Sequence, residues 1–381
     1  MKILLVGEYS RLHNSLKEGL IALGHEVTIV GSGDCFKNFP VDYSIAAKTI
    51  SSFFLFRFAN KLSLKLLKIN LEDIERGFRF KKLLPKLKNY DVVQLINSDA
   101  IETFPVFSIY LLKKLFHQNK KIFLLICGDE TPIIDFLLQK KLKYSILSPL
   151  FKNSKLKNYY QYTLKYTSKK YRKLYDFVLL NCDGILVSDL DYKIPMEQTK
   201  TQFFFIANPI NIDTIKYLEN PILDKINIFH GVNNSSSVKK GNDYFEKALE
   251  IIQNKYPEKV EIINTQNIPY DVYINSYNKS HILLDQVFSF DQGYNALEAM
   301  AKGKVVFTGA ETEFMKHYNL KDKVCINALP DLNYLIRELV YLIENPNEII
   351  AIGKRARVFI EQSHNYIKVA TKYLEIWNNK G

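Results

Sequence analysis

Apolar residues recur along the chain in two alternating patterns, short continuous runs and longer stretches with helical spacing. The run Lys2–Val6 is followed by Gly7, a helical pattern over about 11–23, and a second run over 26–30. A strand, a helix and a strand in this order predict a βαβ unit with two parallel strands. Further strand-like runs follow at 91–96, 121–127 and 184–188. The first half of the chain therefore predicts a mostly parallel sheet covered by helices.

A stretch rich in Pro, Asn and Asp, residues 206–225, interrupts this alternation and predicts a domain junction. After it the alternation of strands and helices begins again, and from about 329 the chain is predicted to be helical. The strand-like runs of this half are 226–230, 259–263, 281–287 and 304–309. We expect an N-terminal domain over 1–218, a C-terminal domain over 219–365, and a final helix, 366–381, that packs back on the N-terminal domain.

Size and composition fit a two-domain globular protein. The chain has 381 residues, and 47% of them are hydrophobic, so two cores can be buried. No apolar run approaches the roughly 18 residues of a membrane-spanning helix, and the first apolar run is too short for a secretory signal. The cysteines have neither disulfide nor metal spacing; they are Cys35, Cys127, Cys182 and Cys325. We expect a soluble cytoplasmic protein.

The net charge of +12 lies in the first half. Residues 1–218 hold 33 basic and 20 acidic residues, whereas the remainder holds 19 and 20. The excess peaks between Asp135 and Asp176, where 11 basic residues and several tyrosines occur without an acid. This segment, 136–175, predicts a peripheral contact with an anionic membrane surface. The alternative is a solvated basic face. Nucleic acid is not expected as a partner, because no binding motif accompanies the charge.

Four loops of the second half follow predicted strands and should line one rim of the sheet, where ligands of parallel α/β sheets bind. They are 231–240, 265–270, 288–295 and 309–313. Lys239 and Lys240 stand just before a helix and are expected to hold phosphate, although the spacing is not that of a P-loop. Gly293, Tyr294 and Asn295 open a second helix at the same rim. Two helix starts that face one pocket predict a diphosphate.

Glu298 lies one turn into that second helix, in "ALEAMA". An acid near a helix start is favourable in any protein, so a solvated first-turn glutamate is one interpretation. Its small and apolar neighbours instead indicate a helix packed on several sides. A partly buried carboxylate needs hydrogen-bond donors, and the two hydroxyls of a ribose are suitable ones.

Three segments of the second half resemble the nucleotide-sugar-binding domain of GT-B glycosyltransferases, most closely the retaining group with a Glu, seven residues, Glu signature. They are "KKGNDYFEKALEII" (239–252), "IPYDVYINSYNKSHILLDQ" (268–286) and "GYNALEAMAKGKVVFTG" (293–309). In the first half "VGEYSRLHNSLKEGLIALGHEV" and "NPINID" are similar to that group's first βαβ unit and pre-linker segment. The resemblance implies an α/β fold of two facing, doubly wound, Rossmann-like domains.

The resemblance also implies roles for individual residues. Lys240 would hold the donor diphosphate, Glu298 the nucleotide ribose, and the loop Ile268–Tyr270 the base. The helix start Gly293–Asn295 would contact phosphate or donor sugar, and Gly7 would let the opposite domain approach the reaction centre. Catalysis in this group needs no metal and no cofactor beyond the nucleoside diphosphate sugar as co-substrate. The anomeric configuration of the sugar would be retained.

Two positions depart from the signature. Phe290 stands where the first Glu is expected, so Asp291, from a shifted position, or Asp285, at a strand end, is expected to replace it. Where the group has an Arg beside the Lys, this chain has asparagines, and Lys239 is expected to compensate.

Further candidates lie outside the signature. Asp129 or Glu130, after a first-half strand, is expected to position or deprotonate the acceptor hydroxyl; the alternative is that Asp129 caps the following helix. His230 ends a second-half strand and could reach the pocket, whereas His13 is expected to be structural. The Asp-x-Asp of "SDLDY" (188–192) falls outside the predicted rim, and we expect no metal there.

These features predict a glycosyltransferase that moves a sugar from a nucleoside diphosphate donor to a glycan or lipid-linked glycan acceptor, in surface polysaccharide or glycan biosynthesis. The segment 136–175 would contact the inner face of the membrane or the acceptor's pyrophosphate. The alternatives are a nucleotide-sugar epimerase and a non-catalytic nucleotide-sugar-binding protein of the same fold.

Overall fold

The computed structural model describes residues 1–34, 38–266 and 270–379, which form two α/β domains, each built on a parallel sheet. The sheet of the N-terminal domain has the strand order β3-β2-β1-β4-β5-β6-β7. Its strands are β1 (Lys2–Val6), β2 (Glu26–Gly31), β3 (Tyr43–Ser44), β4 (Val92–Leu95), β5 (Lys121–Ile126), β6 (Gly184–Val187) and β7 (Phe204–Phe205). In the register Val6 lies between Val30 and Leu95, so the loops after β1 and β4 leave the same edge.

Helices cover both faces of this sheet, as expected for strands that are apolar on both sides. They are α1 (Leu12–Ala22), α2 (Lys48–Ser52), α3 (Phe54–Leu66), α4 (Leu71–Leu83), α5 (Pro105–His117), α6 (Thr131–Leu138), α7 (Ser148–Lys152), α8 (Gln161–Leu164), α9 (Lys169–Asn181) and α10 (Leu190–Met196). Single 3-10 turns follow α4, α7 and α8. Within the described residues no helix is long and apolar enough to span a membrane.

The sheet of the C-terminal domain has the order β12-β11-β10-β8-β9, again parallel. Its strands are β8 (Ile226–Val232), β9 (Val260–Gln266), β10 (Ile282–Leu284), β11 (Val305–Thr308) and β12 (Ile326–Asn327). Its helices are α11 (Ser237–Lys240), α12 (Asn242–Lys255), α13 (Tyr270–Lys279), α14 (Tyr294–Ala301), α15 (Thr312–His317), α16 (Leu332–Glu344) and α17 (Pro346–Phe359). The predicted strand over 281–287 is shorter in the structure, which leaves Asp285 just beyond its end.

The last helix, α18 (Tyr366–Asn379), leaves the C-terminal domain and packs on the N-terminal one. Tyr373 and Trp377 are buried in the N-terminal core, and the indole N–H of Trp377 donates to Gln94 Oε1 at 3.2 Å. Just before it, the backbone of Ile210 pairs with Asn365. The two crossings of the chain between domains therefore lie side by side. The prediction of two doubly wound α/β domains is confirmed.

Candidate functional site

The donor side of the candidate site begins at Lys240, the last residue of α11. Its carbonyl accepts a hydrogen bond from the Val287 N–H at 2.9 Å. The next residue, Gly241, has φ +70°, and a Cβ there would lie 2.4 Å from Val287 Cγ2. Glycine is therefore required at this position, and the tight turn fixes Lys240 beside the loop that follows β10.

Asp285 receives the Lys240 side chain at the end of β10. Lys240 Nζ lies 2.7 Å from Asp285 Oδ1, and the same oxygen accepts from Asn295 Nδ2 at 3.3 Å. The second oxygen accepts from the Thr308 hydroxyl at 3.3 Å. The carboxylate is buried while Lys240 is about one-third exposed. Asp285 thus connects the ends of β10 and β11 to the start of α14, and it holds the Lys240 ammonium at the rim.

Glu298 is partly exposed on α14 and interacts electrostatically with Arg11 of the opposite domain. Burial lowers the pKa of Arg11, but the carboxylates of Glu18 and Glu298 outweigh this effect and raise it. Arg11 belongs to the loop after β1, so Glu298 lies beside the first loop of the N-terminal domain. This position in the interdomain cleft is compatible with the predicted contact to a ribose.

The residues at the start of α14 have different environments: one has an open backbone, and another contacts the domain junction. Gly293 is the residue before the helix, and a Cβ there would meet nothing closer than 3.8 Å, so its backbone is open to approach. The Tyr294 hydroxyl, by contrast, donates to the carbonyl of Pro209. Asn295 accepts at its carbonyl from the Tyr277 hydroxyl at 3.1 Å. The Tyr294 hydroxyl therefore already has a hydrogen-bond partner at the domain junction.

The first loop of the N-terminal domain forms the facing wall. Gly7 has φ +86°, and a Cβ would lie 2.3 Å from Ile96 Cγ2, so glycine is required. Its carbonyl lies 2.7 Å from His13 Nδ1. Burial lowers the pKa of His13 to about 4, which agrees with the expected structural role of this histidine. Glu8 accepts two hydrogen bonds from Asn14, and burial raises its pKa to about 7.

The two acids after β5 have different environments. Glu130 is buried and accepts from the Ser98 N–H, the Ser98 hydroxyl and the Thr131 N–H at 2.8–2.9 Å. Glu130 rather than Asp129 therefore caps α6. Asp129 accepts from the Thr163 hydroxyl at 2.6 Å and from Lys239 Nζ at 3.2 Å. Lys239 thus reaches across to the N-terminal domain, and only Lys240 of the two lysines lies at Asp285.

Asp291 and the Asp-x-Asp pair form part of the interdomain contact. Asp291 Oδ2 accepts from the Leu190 N–H at 3.1 Å, and Asp191 Oδ1 accepts from the Phe290 N–H at 2.9 Å. The prediction that 188–192 lies apart from the rim was wrong, because Asp191 contacts the loop 288–295 directly. Burial raises the pKa of Asp291 to about 7. Its oxygens are occupied by backbone amides. Asp285 is buried as well and is held by Lys240, Asn295 and Thr308, so neither carboxylate is free to read a sugar as the first glutamate of the signature would.

Phe290 itself packs against the basic segment 136–175. Its ring centroid lies 5.4 Å from that of Tyr144, and the Tyr144 hydroxyl donates to Glu311 in the fourth rim loop. Lys143 Nζ contacts the same carboxylate at 2.5 Å. An aromatic contact between domains thus occupies the position where the signature has a carboxylate.

Two other residues of the segment 136–175 also contact the C-terminal domain. The Tyr159 hydroxyl donates to the Ser235 carbonyl at 2.9 Å, and Lys152 Nζ lies 3.2 Å from the Tyr244 hydroxyl. Tyr160 and Tyr166 are buried. Since much of its aromatic surface is inside the protein, the segment offers less to a membrane than its composition indicates.

His230 packs against α12, and of the two donor-site candidates Lys240 and Glu298 it is Lys240 whose charge acts on the histidine. It lines a groove of about 670 Å³ between α12 and the strands β8 and β9, and neither of those residues lines it. Burial lowers the pKa of His230 to about 4, so it is neutral near pH 7. Of the predicted base-binding loop, Ile268 lies outside the described residues, and Tyr270 begins α13.

Sequence reasoning missed a polar cluster at the ends of β1 and β4. Its buried oxygens without a hydrogen-bond partner among the described residues include Glu8 Oε1, Tyr9 Oη, Asn97 Oδ1 and Asp99 Oδ1. The other oxygen of Asp99 pairs with Lys165 Nζ at 2.8 Å. The run "INSDA" after a strand was the available signal, since polar residues at that edge are candidates for ligand contact. The same described residues contain no group of three or more His, Cys, Asp or Glu arranged to hold a metal ion.

Comparison with known proteins agrees with the two-domain architecture. Residues 236–375 match a family described as glycosyl transferase-like; this part contains Lys240, Asp285 and Glu298. No curated protein sequence matches the chain. The family match therefore covers the C-terminal part, where the sequence resemblance was also most specific.

Solved structures match the whole chain. Sucrose-phosphate synthase from Thermosynechococcus elongatus superposes with a TM-score of 0.63 at 13% identity, covering 100% of this chain and 99% of that one. Anabaena HepE in complex with UDP and glucose gives 0.61 at 12%, with full coverage of both chains. A putative UDP-N-acetylglucosamine 2-epimerase from Listeria monocytogenes gives 0.53 at 11%, covering 98% and 95%. At these identities the likeness concerns the fold, which is GT-B.

Proposed function

We propose that the protein is a glycosyltransferase of the GT-B type, which moves a sugar from a nucleoside diphosphate donor to a glycan or lipid-linked glycan acceptor. The observation that carries the proposal is the Lys240–Asp285 pair beside the start of α14, in the part of the chain that is glycosyl transferase-like. A cation and a helix N-terminus at the carboxyl ends of parallel strands are suited to a diphosphate.

The proposed catalysis depends on where negative charge develops during the transfer. When the bond between the sugar and the diphosphate breaks, negative charge accumulates on the departing nucleoside diphosphate. Lys240 and the amides at the start of α14 would stabilise that charge. The ammonium has three donors, so it can keep its contact with Asp285 while it binds a phosphate oxygen. Asp285 therefore positions Lys240. We propose that Glu298 accepts from the ribose hydroxyls and that the anomeric configuration is retained.

Uridine diphosphate is the first nucleotide to test. The structure of HepE, which has the same fold, holds UDP and glucose. The base would be placed by the loop after β9, where the sequence resemblance puts it.

The acceptor would enter from the N-terminal domain. Asp129 lies opposite Lys239 at the cleft and would position or deprotonate the acceptor hydroxyl. Tyr9, Asn97 and Asp99 offer polar atoms without partners among the described residues, which suits a ligand rich in hydroxyls. The basic segment 136–175, residues of which contact the C-terminal domain, would meet the pyrophosphate of a lipid-linked acceptor. Such a reaction belongs to surface polysaccharide or glycan biosynthesis at the cytoplasmic face of a membrane.

Nucleotide binding tests the donor site. Among UDP, GDP, CDP and dTDP, one should raise the melting temperature, because a ligand that binds only the folded state stabilises it. Lys240→Ala and Glu298→Ala should each weaken that nucleotide at least about tenfold, since each removes a charged hydrogen-bonding group. Isothermal titration calorimetry measures the dissociation constants.

Lys247→Ala is the matched control, because Lys247 lies on α12 and is well exposed. It should bind the nucleotide as the wild type does. Unchanged affinity in both Lys240→Ala and Glu298→Ala would remove the assigned donor site.

A further inference from the structure

Helix α3 and its flanking residues carry large apolar side chains on the outside of the N-terminal domain. Each of the following is at least 44% exposed: Phe53, Phe54, Leu55, Phe56, Phe58, Leu62, Leu64, Leu66 and Leu67. We refer to them as the 53–67 face. A contiguous apolar surface of this kind is uncommon on a monomeric soluble protein and marks an interaction site.

Helix α3 contacts the rest of the protein through polar side chains. Within α3, all of which the structure describes, only Asn60 is buried, and its Oδ1 accepts from the Leu71 N–H at 2.7 Å. The Ser63 hydroxyl donates to the Ile69 carbonyl at 2.9 Å. The preceding helix α2 is fixed by Glu75, whose carboxylate accepts from the Thr49 and Ile50 amides. The exposed apolar side chains are therefore held outward by specific hydrogen bonds.

The charged residues of the chain from the start of α2 to the residues after α3 have one sign. Residues 43–71 contain five basic residues and no acid. Arg57, Lys61 and Lys65 follow one another at spacings of four, which places them along one stripe of α3, and Lys68 follows just after the helix. Phe54, Phe58, Leu62 and Leu66 form the neighbouring apolar stripe. A basic stripe next to an apolar stripe is typical of helices that lie in the interface of an anionic membrane.

We propose that the 53–67 face docks on an anionic lipid bilayer, with its Phe and Leu side chains among the lipids and its basic stripe at the headgroups. Charge complementarity favours this occupant. In a symmetric contact between two copies the same patch would face itself, which would bring two all-basic stripes together. The lipid surface instead neutralises the stripe and buries the apolar side chains at the same time.

The 53–67 face is connected through α4 to the loop that follows β4. Helix α4 follows α3 directly, and the Thr103 hydroxyl donates to the Asp73 carbonyl of α4 at 2.5 Å. Arg76, also on α4, donates to the Glu102 carbonyl at 2.8 Å. These contacts, together with the direct chain connection from α3 to α4, link the 53–67 face to the loop that carries Asp99. In so far as the proposed function holds, docking would present the cleft to a lipid-linked acceptor.

Vesicle binding tests the proposal without any nucleotide, so its outcome is independent of the donor site. The full chain is sedimented with phosphatidylcholine vesicles that do or do not contain phosphatidylglycerol. Wild type should bind the anionic vesicles, and less so at high salt. Phe54→Ser/Phe58→Ser/Leu62→Ser should lower the partition coefficient at least about tenfold, because three apolar side chains no longer insert. Lys61→Gln/Lys65→Gln should lower it by about fivefold for each lysine.

Two control variants separate this face from other surface features. Val106→Ser/Leu180→Ser/Leu223→Ser removes three apolar side chains that are 73%, 82% and 89% exposed elsewhere on the molecule, and it should bind as the wild type does. Lys155→Gln/Lys157→Gln removes the same charge from exposed lysines of the segment 136–175 and should have less than half the effect, on a logarithmic scale, of the Lys61/Lys65 pair.

Three outcomes would overturn the proposal. The first is wild type that does not bind anionic vesicles. The second is a Lys155/Lys157 variant as weak as the Lys61/Lys65 variant, which would place the contact at 136–175. The third is a wild-type dimer in sedimentation equilibrium that the Phe54/Phe58/Leu62 variant abolishes, which would make the face an interface between copies. Circular dichroism spectra and the melting temperature check that each variant is folded.

Discussion

At the scale of single residues, the sequence indicated which charged residues are candidates for the site, but it did not indicate which residues contact one another. Lys240 and Glu298 were predicted as site residues from their places near helix starts, which local patterns reveal, and their roles stay predictions. The environment of Phe290 was not predictable, because its neighbour Tyr144 comes from the other domain. Likewise, Glu130 rather than Asp129 caps α6, since the choice depends on where Ser98 presents its amide and hydroxyl.

Glu130 leads to a prediction about pH. Burial raises its pKa from 4.5 to about 7, although hydrogen bonds from Ser98 and Thr131 act in the opposite direction. Because the pKa is higher in the folded state, its contribution to stability is present below pH 4.5 and is lost as the pH rises through 7. Glu130→Gln keeps an acceptor oxygen but cannot ionise. Relative to wild type, the variant should gain up to about 3 kcal/mol between pH 4.5 and pH 8.

Urea unfolding followed by circular dichroism at several pH values measures this difference. Glu258→Gln, at a side chain that is 92% exposed, is the control and should show no such trend. A parallel pH dependence of Glu130→Gln and wild type would show that Glu130 is ionised at all of these pH values.

At the scale of elements, the alternation of apolar runs and helical stretches predicted the main strands of both sheets. It did not reveal the short edge strands β3, β7 and β12, which have two residues each and too little pattern to detect. Helix α3 escaped interpretation for a different reason. Its apolar residues have helical spacing, and spacing alone does not show whether such a face is turned toward a core or toward the outside.

Helix α18 allows a test of how the chain is held together. Trp377 is fully buried in the N-terminal core, 6.3 Å from Phe123 between ring centroids, and hydrogen-bonded to Gln94. Trp377→Ala should lower the free energy of unfolding by about 3–5 kcal/mol through the cavity that it leaves. Trp377 is the single tryptophan of the chain, so the variant has no tryptophan fluorescence to follow. Urea unfolding is therefore followed by circular dichroism.

Lys372→Ala, at an exposed position of the same helix, should change stability by less than about 0.5 kcal/mol. A loss of less than about 1 kcal/mol in Trp377→Ala would contradict the close packing of α18 on the N-terminal domain.

At the scale of the whole molecule, the GT-B fold was predictable, whereas the way the two domains meet was not. Contacts such as Lys239 with Asp129, Asp191 with the Phe290 amide and Tyr144 with Glu311 join residues that are far apart in the sequence. No local pattern encodes such pairs. They place Lys240 and Glu298 on one wall of a cleft and the loop after Gly7 on the other, which is the arrangement that a transfer between two bound substrates requires.

Proton NMR of a nucleoside diphosphate sugar incubated with the full chain tests this account most directly. We use the nucleotide that stabilises the protein, without an acceptor, so that water can take the acceptor's place. The account predicts slow release of free sugar whose first-formed anomer matches the donor, with release at least about tenfold slower in Lys240→Ala. Epimerised nucleotide sugar, or a donor that binds but stays intact, would contradict it.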